Sequence, residues 1–212
     1  MKAHITDPLI RAYCEKYSST LPQTFEAMAT KAEETGRSEM LSGPYLGLFL
    51  TMFAKLLRPT NVLELGTFTG YGTLCLLEGL PEDSIIHTVE NCVDLHPMSS
   101  TAIADHPRAA QVTQHTADAA TVIDELDLTW DLVFIDASKR QYIEYYDAVF
   151  PRVRKGGVIL ADNVLWKGRL VSKDNDKIGM RLDEFNQYVH ADSRVTNMIL
   201  PVDDGMNLII KS

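Results

Sequence analysis

The chain lacks the features that mark several large classes of protein. Its 212 residues include only three cysteines, Cys14, Cys75 and Cys92, with no C-x-x-C spacing. An odd, scattered set of thiols excludes a disulfide scaffold and leads us to expect a cytoplasmic protein with reduced cysteines. The six histidines have no zinc-like spacing. Positive charge is also scarce. A formal net charge of −9 argues against non-specific attachment to nucleic acid or anionic membrane. The most apolar window, residues 44–57, is interrupted by Gly47 and Lys55 and is too short to span a bilayer, so no membrane partner is expected. The opening MKAHITDPLI has no apolar core behind its lysine, so no secretory leader is expected. There is no internal repeat, low-complexity tract or Pro/Gly-rich linker. One domain over 1–212 is expected, with a helical segment over 1–57 packed on it.

What is present is an alternation. Asp7-Pro8 reads as a helix cap and first turn, and Leu21-Pro22 opens a second helical segment. In 44–57, Leu46, Phe49, Leu50, Phe53, Leu56 and Leu57 follow helical spacing. After Pro59 the texture changes to short apolar runs at 61–65, 84–89, 109–114, 131–135 and 156–161. Helical stretches near 71–79, 93–104, 117–125 and 140–151 separate them. Runs apolar on both faces, alternating with helices, imply a parallel sheet covered on both sides. A helix near 177–190 then leads to RVTNMILPV and GMNLIIKS, joined by the hairpin signal Asp203-Asp204-Gly205. The expected fold is α/β, with a mostly parallel seven-stranded sheet ending in an antiparallel strand.

The first run ends in VLELGTFTGYGT, residues 62–73. In an open parallel sheet, ligands bind beyond the carboxyl ends of the strands, beside the first one. Gly66 and Gly70 allow a tight turn and close approach to a ligand, and the helix starting near Tyr71 directs free N–H groups at an anion. The spacing is G-x-x-x-G, neither the G-x-G-x-x-G of dinucleotide binding nor a P-loop. Glu90 ends the second run, where an acid can accept from both ribose hydroxyls. Asp118 ends the third, as a helix cap or as an acceptor for an adenine amino group.

The fourth and fifth runs end in FIDASKRQY and ILADNVLWKG. Asp136, Asp162 and Asn163 therefore leave the core at one edge. Asp-Asn after a strand is often only a turn. Adjacent parallel strands lie about 4.8 Å apart, however, so the three oxygen-bearing side chains can converge. Two carboxylates and an amide oxygen suit Mg²⁺, with Ca²⁺ or Mn²⁺ as alternatives. Lys139 lies three residues past Asp136, placed to accept a proton or to stabilise an oxyanion. Trp166 and Tyr142 are each candidate walls for a flat substrate; Trp166 could equally pack its own loop, and Tyr142 could merely begin a helix.

Taken in order, VLELGTFTGY, FIDASKRQY, ADNVLWKG and DSRV…LPVDDGMNLIIK resemble the cation-dependent class I O-methyltransferases. This is the family of catechol and caffeoyl-CoA O-methyltransferases, and the similarity is greater to its small bacterial members. It runs from about Met40 to the end. It implies a Rossmann-like, doubly wound fold, S-adenosylmethionine as methyl donor, a divalent cation, a small phenolic or catechol-like acceptor and a homodimer. By the same resemblance Glu64, Gly66, Gly70 and Tyr71 form the cofactor loop, Glu90 holds the ribose, and Asp118 and Ala119 lie at the adenine. The segment Met40-Leu41-Ser42 covers the methionine end, Asp136 serves cofactor and catalysis, and Asp136, Asp162 and Asn163 hold the metal with Lys139 beside them. One departure stands out: relatives carry Gly-Tyr-Ser where this chain has Gly-Tyr-Gly, so Gly72 offers no hydroxyl to the cofactor carboxylate. Thr73 or backbone N–H groups are the candidates to replace it.

A related site methylating a hydroxylated uridine in tRNA is the competing function, supported by Lys139, Arg140, Lys167, Arg169 and Lys173 near the mouth and opposed by the acidic balance. A nicotinamide-dependent oxidoreductase is disfavoured by the glycine spacing. A non-catalytic binding protein would leave the acidic corner unexplained.

Overall fold

The computed structural model describes residues 6–22, 25, 43–172 and 176–212. Seven strands form one sheet: β1 (Asn61–Leu65), β2 (Ile85–Glu90), β3 (Val112–Thr116), β4 (Trp130–Ile135), β5 (Val153–Ala161), β6 (Val195–Leu200) and β7 (Met206–Lys211). Their order is β3-β2-β1-β4-β5-β7-β6. Every pairing is parallel except those of β7, which runs antiparallel to both β5 and β6. The chain leaves β1 toward β2 and β3, then crosses back to β4, which makes the β1/β4 edge the switch point where a ligand crevice opens.

Helices cover both faces because successive strand residues point to opposite sides. Val62, Ile86, Leu132, Phe134, Val158 and Leu160 face α2 (Pro44–Leu57), α3 (Tyr71–Gly79) and α4 (His96–Ala104). Leu63, Leu65, Val89, Val133, Ile135 and Ile159 face α5 (Ala119–Glu125), α6 (Tyr142–Val149) and α7 (Lys177–Ala191). At the amino end, α1 (Pro8–Lys16) is capped by Asp7, whose side chain accepts from the Leu9 and Ile10 N–H groups. Among the described residues no helix is long and apolar enough to cross a membrane.

Three expectations need correction. The third run begins later than its apolar pattern implies: Ala109–Gln111 is a 3₁₀ turn and β3 starts at Val112. The Gln111 amide donates to the Pro81 and Ser84 carbonyls at 2.8 and 2.7 Å, a long-range tie that holds this turn out of the sheet. The fifth run starts earlier, at Val153, because Trp130 pairs with Val153 before a register shift. Leu56, expected on the core face of α2, is exposed; the buried face is Leu46, Gly47, Leu50, Thr51 and Ala54.

Candidate active site

Backbone hydrogen bonds hold the ends of β1, β4 and β5 as a staircase. Asp136 N–H donates to the Leu65 carbonyl at 2.8 Å, and Asp162 N–H donates to the Ile135 carbonyl at 3.0 Å. Gly66 follows β1 with φ of 106° and donates to the Val89 carbonyl at 2.9 Å. A Cβ here would stand 2.2 Å from the Asp136 carbonyl oxygen, so only glycine lets the cofactor loop and the acidic corner meet. Gly70 caps α3 in left-handed backbone, and the first N–H groups of that helix have no intrahelical acceptor.

On the β2 side, both oxygens of Glu90 are oriented by the main chain. The Phe68 N–H donates to one at 3.0 Å and the Cys92 N–H to the other at 2.9 Å. A carboxylate has about four acceptor positions, so capacity remains for two hydroxyls. Asp118 caps α5, accepting from the Ala120 N–H at 2.9 Å, with Ala119 buried behind it. The Thr69 hydroxyl in the loop is buried and has no partner among the described residues, an orphan that a polar ligand here would satisfy. Met40, Leu41 and Ser42 lie outside the described residues.

Three residues expected at the cofactor have side chains buried within the protein. Tyr71 is 3% exposed and turned into the core against Phe25, so its contribution to the loop is its backbone. Thr73 is fully buried and its hydroxyl donates to Glu64, which removes it as a substitute for the missing serine. Glu64 itself is 1% exposed; the same oxygen, Oε2, also accepts from Thr88 at 2.6 Å, and Thr88 bonds the Thr67 hydroxyl at 2.6 Å. Burial pushes the Glu64 carboxyl up to about 8 against the opposing threonine hydroxyls, with Asp136 and Glu90 adding to the rise. Sequence reading missed this threonine cluster; its signal was three threonines around one strand-end acid.

At the other side of the crevice, Lys139 Nζ lies 2.5 Å from Asp136 Oδ1. Asp162 is 2% exposed, and its Oδ1 accepts from the Asn163 N–H at 2.7 Å. Burial holds the Asp162 carboxyl well above the ordinary carboxylate range, and the Asp136 charge pushes the same way, against Lys139. Burial opposes the Lys139 charge, but Asp136 and Asp162 outweigh it and keep the ammonium protonated beyond its ordinary range. Among the described residues no three acidic, histidine or cysteine side chains form a metal cage. Asp136 and Asp162 bring two carboxylates to one corner, and like charges there repel unless one is protonated or offset.

Tyr142 is not a substrate wall. It is 1% exposed, and its hydroxyl donates to the Asp162 carbonyl at 2.9 Å and the Ile135 carbonyl at 3.2 Å, bracing both strand ends from below. The Trp166 indole N–H donates to Asp176, the N-cap of α7, at 2.9 and 3.0 Å, so the ring anchors its own loop. Sequence reading treated Asp203-Asp204 only as a turn. Asp203 instead pairs with Arg11 of α1 at 2.8 Å, and the Asp204 carbonyl accepts from the Leu165 N–H at 3.0 Å. Burial pushes the Asp204 carboxyl up to about 6.

Comparison with known proteins identifies the family. The O-methyltransferase family model matches residues 15–212. Caffeoyl-CoA O-methyltransferase 1 of Arabidopsis thaliana is 30% identical over 207 residues, covering 90% of this chain and 80% of that protein. The tapetum-specific methyltransferase 1 of the same plant is 32% identical over 176 residues, covering 76% and 73%. The S-adenosylhomocysteine-bound methyltransferase PaMTH1 of Podospora anserina superimposes with a TM-score of 0.89 at 25% identity, covering 96% and 94%. The O-methyltransferase TomG of Streptomyces achromogenes, solved with S-adenosylmethionine, gives 0.86 at 24% identity over 96% of both chains and shows the fold. Loop, acidic corner and family match converge: the chain belongs to the O-methyltransferase family and is an S-adenosylmethionine-dependent O-methyltransferase.

Proposed function

We propose that the enzyme methylates one hydroxyl of a small phenolic acceptor with two neighbouring oxygens, a catechol-like ring, with a divalent cation held by Asp136, Asp162 and Asn163. The observation that carries this reading is the approach of Gly66 to the Asp136 carbonyl, which sets the methyl-donor loop against the carboxylate corner. The caffeoyl group in the names of the relatives is itself a catechol. Mg²⁺ best matches a hard, all-oxygen donor set, with Ca²⁺ or Mn²⁺ next. When bound, the cation supplies chelation of both acceptor oxygens and acidifies one hydroxyl. The strand-end staircase fixes the carboxylates relative to the cofactor loop, and alignment of this kind is worth up to about 7–11 kcal/mol. Lys139, held as an ammonium by Asp136, is suited to stabilise the developing oxyanion and is a poor proton acceptor in that state.

The tRNA alternative gains no support. Lys139 is paired with Asp136 and Arg169 with Asp176 at 2.6 Å, while Lys173 lies outside the described residues. The free thiols Cys14, Cys75 and Cys92 support a cytoplasmic location. The test is transfer of labelled methyl to catechol and to phenol, before and after chelation. Catechol should be methylated and phenol spared, and chelated enzyme should regain turnover with Mg²⁺. Equal methylation of both, or full turnover after metal removal confirmed by elemental analysis, would sink the reading.

A further inference from the structure

We propose that the buried ion pair between Arg11 and Asp203 holds the loop at residues 164–168 in shape, by fixing the β6–β7 turn on which that loop rests. Arg11 and Asp203 are then positioning residues for the acceptor, although neither touches it. The inference rests on the reading that the acceptor binds at the Asp136–Asp162 corner, which this loop leaves through Asn163.

The loop needs holding. Asn163, Trp166 and Lys167 have φ of 59°, 46° and 58°, and Gly168 has 72°. Left-handed backbone at three non-glycine residues is disfavoured by their own side chains and persists only where the surroundings impose it. The β6–β7 turn imposes it. The Gly205 carbonyl accepts from the Val164 N–H at 3.0 Å and the Asp204 carbonyl from the Leu165 N–H at 3.0 Å. The Asp204 carboxylate accepts from the Lys167 N–H. A Cβ on Gly205 would stand 2.5 Å from the Leu165 side chain, so turn and loop are also in close contact.

The turn is strained in the same sense and is anchored from outside. Asp203 has φ of 50°, a conformation that suits glycine, so the presence of a side chain there calls for a reason. Its carboxylate meets Arg11, 192 positions away in the chain, at 2.8 Å. Arg11 is 7% exposed. Its Nε donates to Glu15 at 2.5 Å, and its guanidinium lies 4.3 Å from the centre of the Tyr45 ring. A guanidinium buried and gripped on three sides is a fixed anchor, unlike a mobile surface pair. The carboxylate of Asp203 thus ties the turn to α1 through Arg11 and to the first turn of α2 through Tyr45. None of these bonds involves the cofactor loop at 66–70, so breaking the pair should disturb the acceptor side and spare the cofactor.

The test compares Asp203→Gly, which removes the carboxylate and suits the left-handed backbone, with Arg11→Ala and Arg11→Lys in the full chain. Hydrogen exchange read by mass spectrometry follows the loop with no acceptor present. The peptide carrying residues 164–168 should exchange about tenfold faster in Asp203→Gly and in Arg11→Ala, the factor one charged hydrogen bond carries, while β4 and α3 keep parent rates. KM for catechol should rise about three- to tenfold in the same two variants, with S-adenosylhomocysteine affinity by calorimetry unchanged. Arg11→Lys keeps the charge without the fork and should fall between them and the parent. Arg11→Ala combined with Asp203→Gly should do no more than either alone, because both break one tie. Parent exchange rates in the loop, or faster loop exchange with parent KM, would overturn the proposal. So would faster exchange across the whole chain with cofactor affinity lost in step, which would make the pair a general brace. A parent enzyme that leaves catechol unmethylated would refute the acceptor reading by itself, and the exchange rates would still decide whether the pair holds the loop.

Discussion

The two sides of the crevice solve the problem of strand-end carboxylates in opposite ways. On the β1–β2 side, Glu64 and Glu90 are satisfied by neutral donors: threonine hydroxyls for one, backbone N–H groups for the other. On the β4–β5 side, Asp136 and Asp162 repel electrostatically, offset by the Lys139 ammonium and, for Asp162, the Asn163 N–H. The first half is preorganised without any ion, because its hydrogen bonds are made within the protein. The second retains electrostatic repulsion in a buried setting, where charge is costly unless paired. That contrast separates a half whose carboxylates are satisfied by neutral donors from a half whose carboxylates are offset by charge.

The largest effect should come from breaking the strained half. Asp162→Asn keeps the shape and removes one of the opposed charges. Turnover should fall by more than about 100-fold, beyond the loss typical of groups that only support a metal ligand. Affinity for S-adenosylhomocysteine should hold, and thermal unfolding should move upward, because a repelling buried carboxylate has gone. Labelled-methyl assays, calorimetry and a melting curve read the three quantities. A variant that loses cofactor affinity in step with turnover would erase the division between the halves.

A smaller loss should follow from breaking the satisfied half. Glu90→Gln replaces a carboxylate that accepts from two N–H groups with an amide that must turn one N–H toward another. S-adenosylhomocysteine and methylthioadenosine should both weaken by about ten- to hundredfold, since both carry the ribose. Turnover at saturating cofactor should change little. Loss confined to S-adenosylhomocysteine would place Glu90 at the methionine end and contradict the ribose assignment.

The same contrast explains what could be read from the sequence. The ends of β1, β4 and β5 were legible because apolar runs stop abruptly at Gly66, Asp136 and Asp162, and parallel register then brings those positions together. The cap role of Asp118 was legible because it is local. The burial of Glu64 was not legible because it depends on Thr67, Thr73 and Thr88, which come from three separate segments. Tyr142 looked like a wall because nothing local shows that its hydroxyl is used by two carbonyls below the site. The start of β3 was missed for the same reason: the Gln111 amide reaches a loop about thirty positions back in the chain. Local termination signals survive in a sequence, whereas long-range satisfaction of polar groups does not.

The smallest effect tests whether the loop after the acidic corner belongs to the acceptor side as a wall or only as a support. Trp166 sits at a left-handed backbone position with its ring partly buried against the α6–α7 core. Its indole N–H reaches the same Asp176 carboxylate that caps α7 through the Ile178 and Gly179 N–H groups and pairs with Arg169. Those donors hold the Asp176 carboxyl down to about 2, so at neutral pH it is a charged acceptor in place before any substrate arrives. Trp166→Phe keeps most of the apolar contact and removes only the N–H. The melting temperature should drop by no more than about 2–4 °C, the shift expected for one modest interaction in a chain of this size. KM for catechol and kcat should remain those of the parent. A clear rise in KM at unchanged melting temperature would instead make the indole part of the acceptor pocket, and the anchoring bond to Asp176 incidental to its purpose.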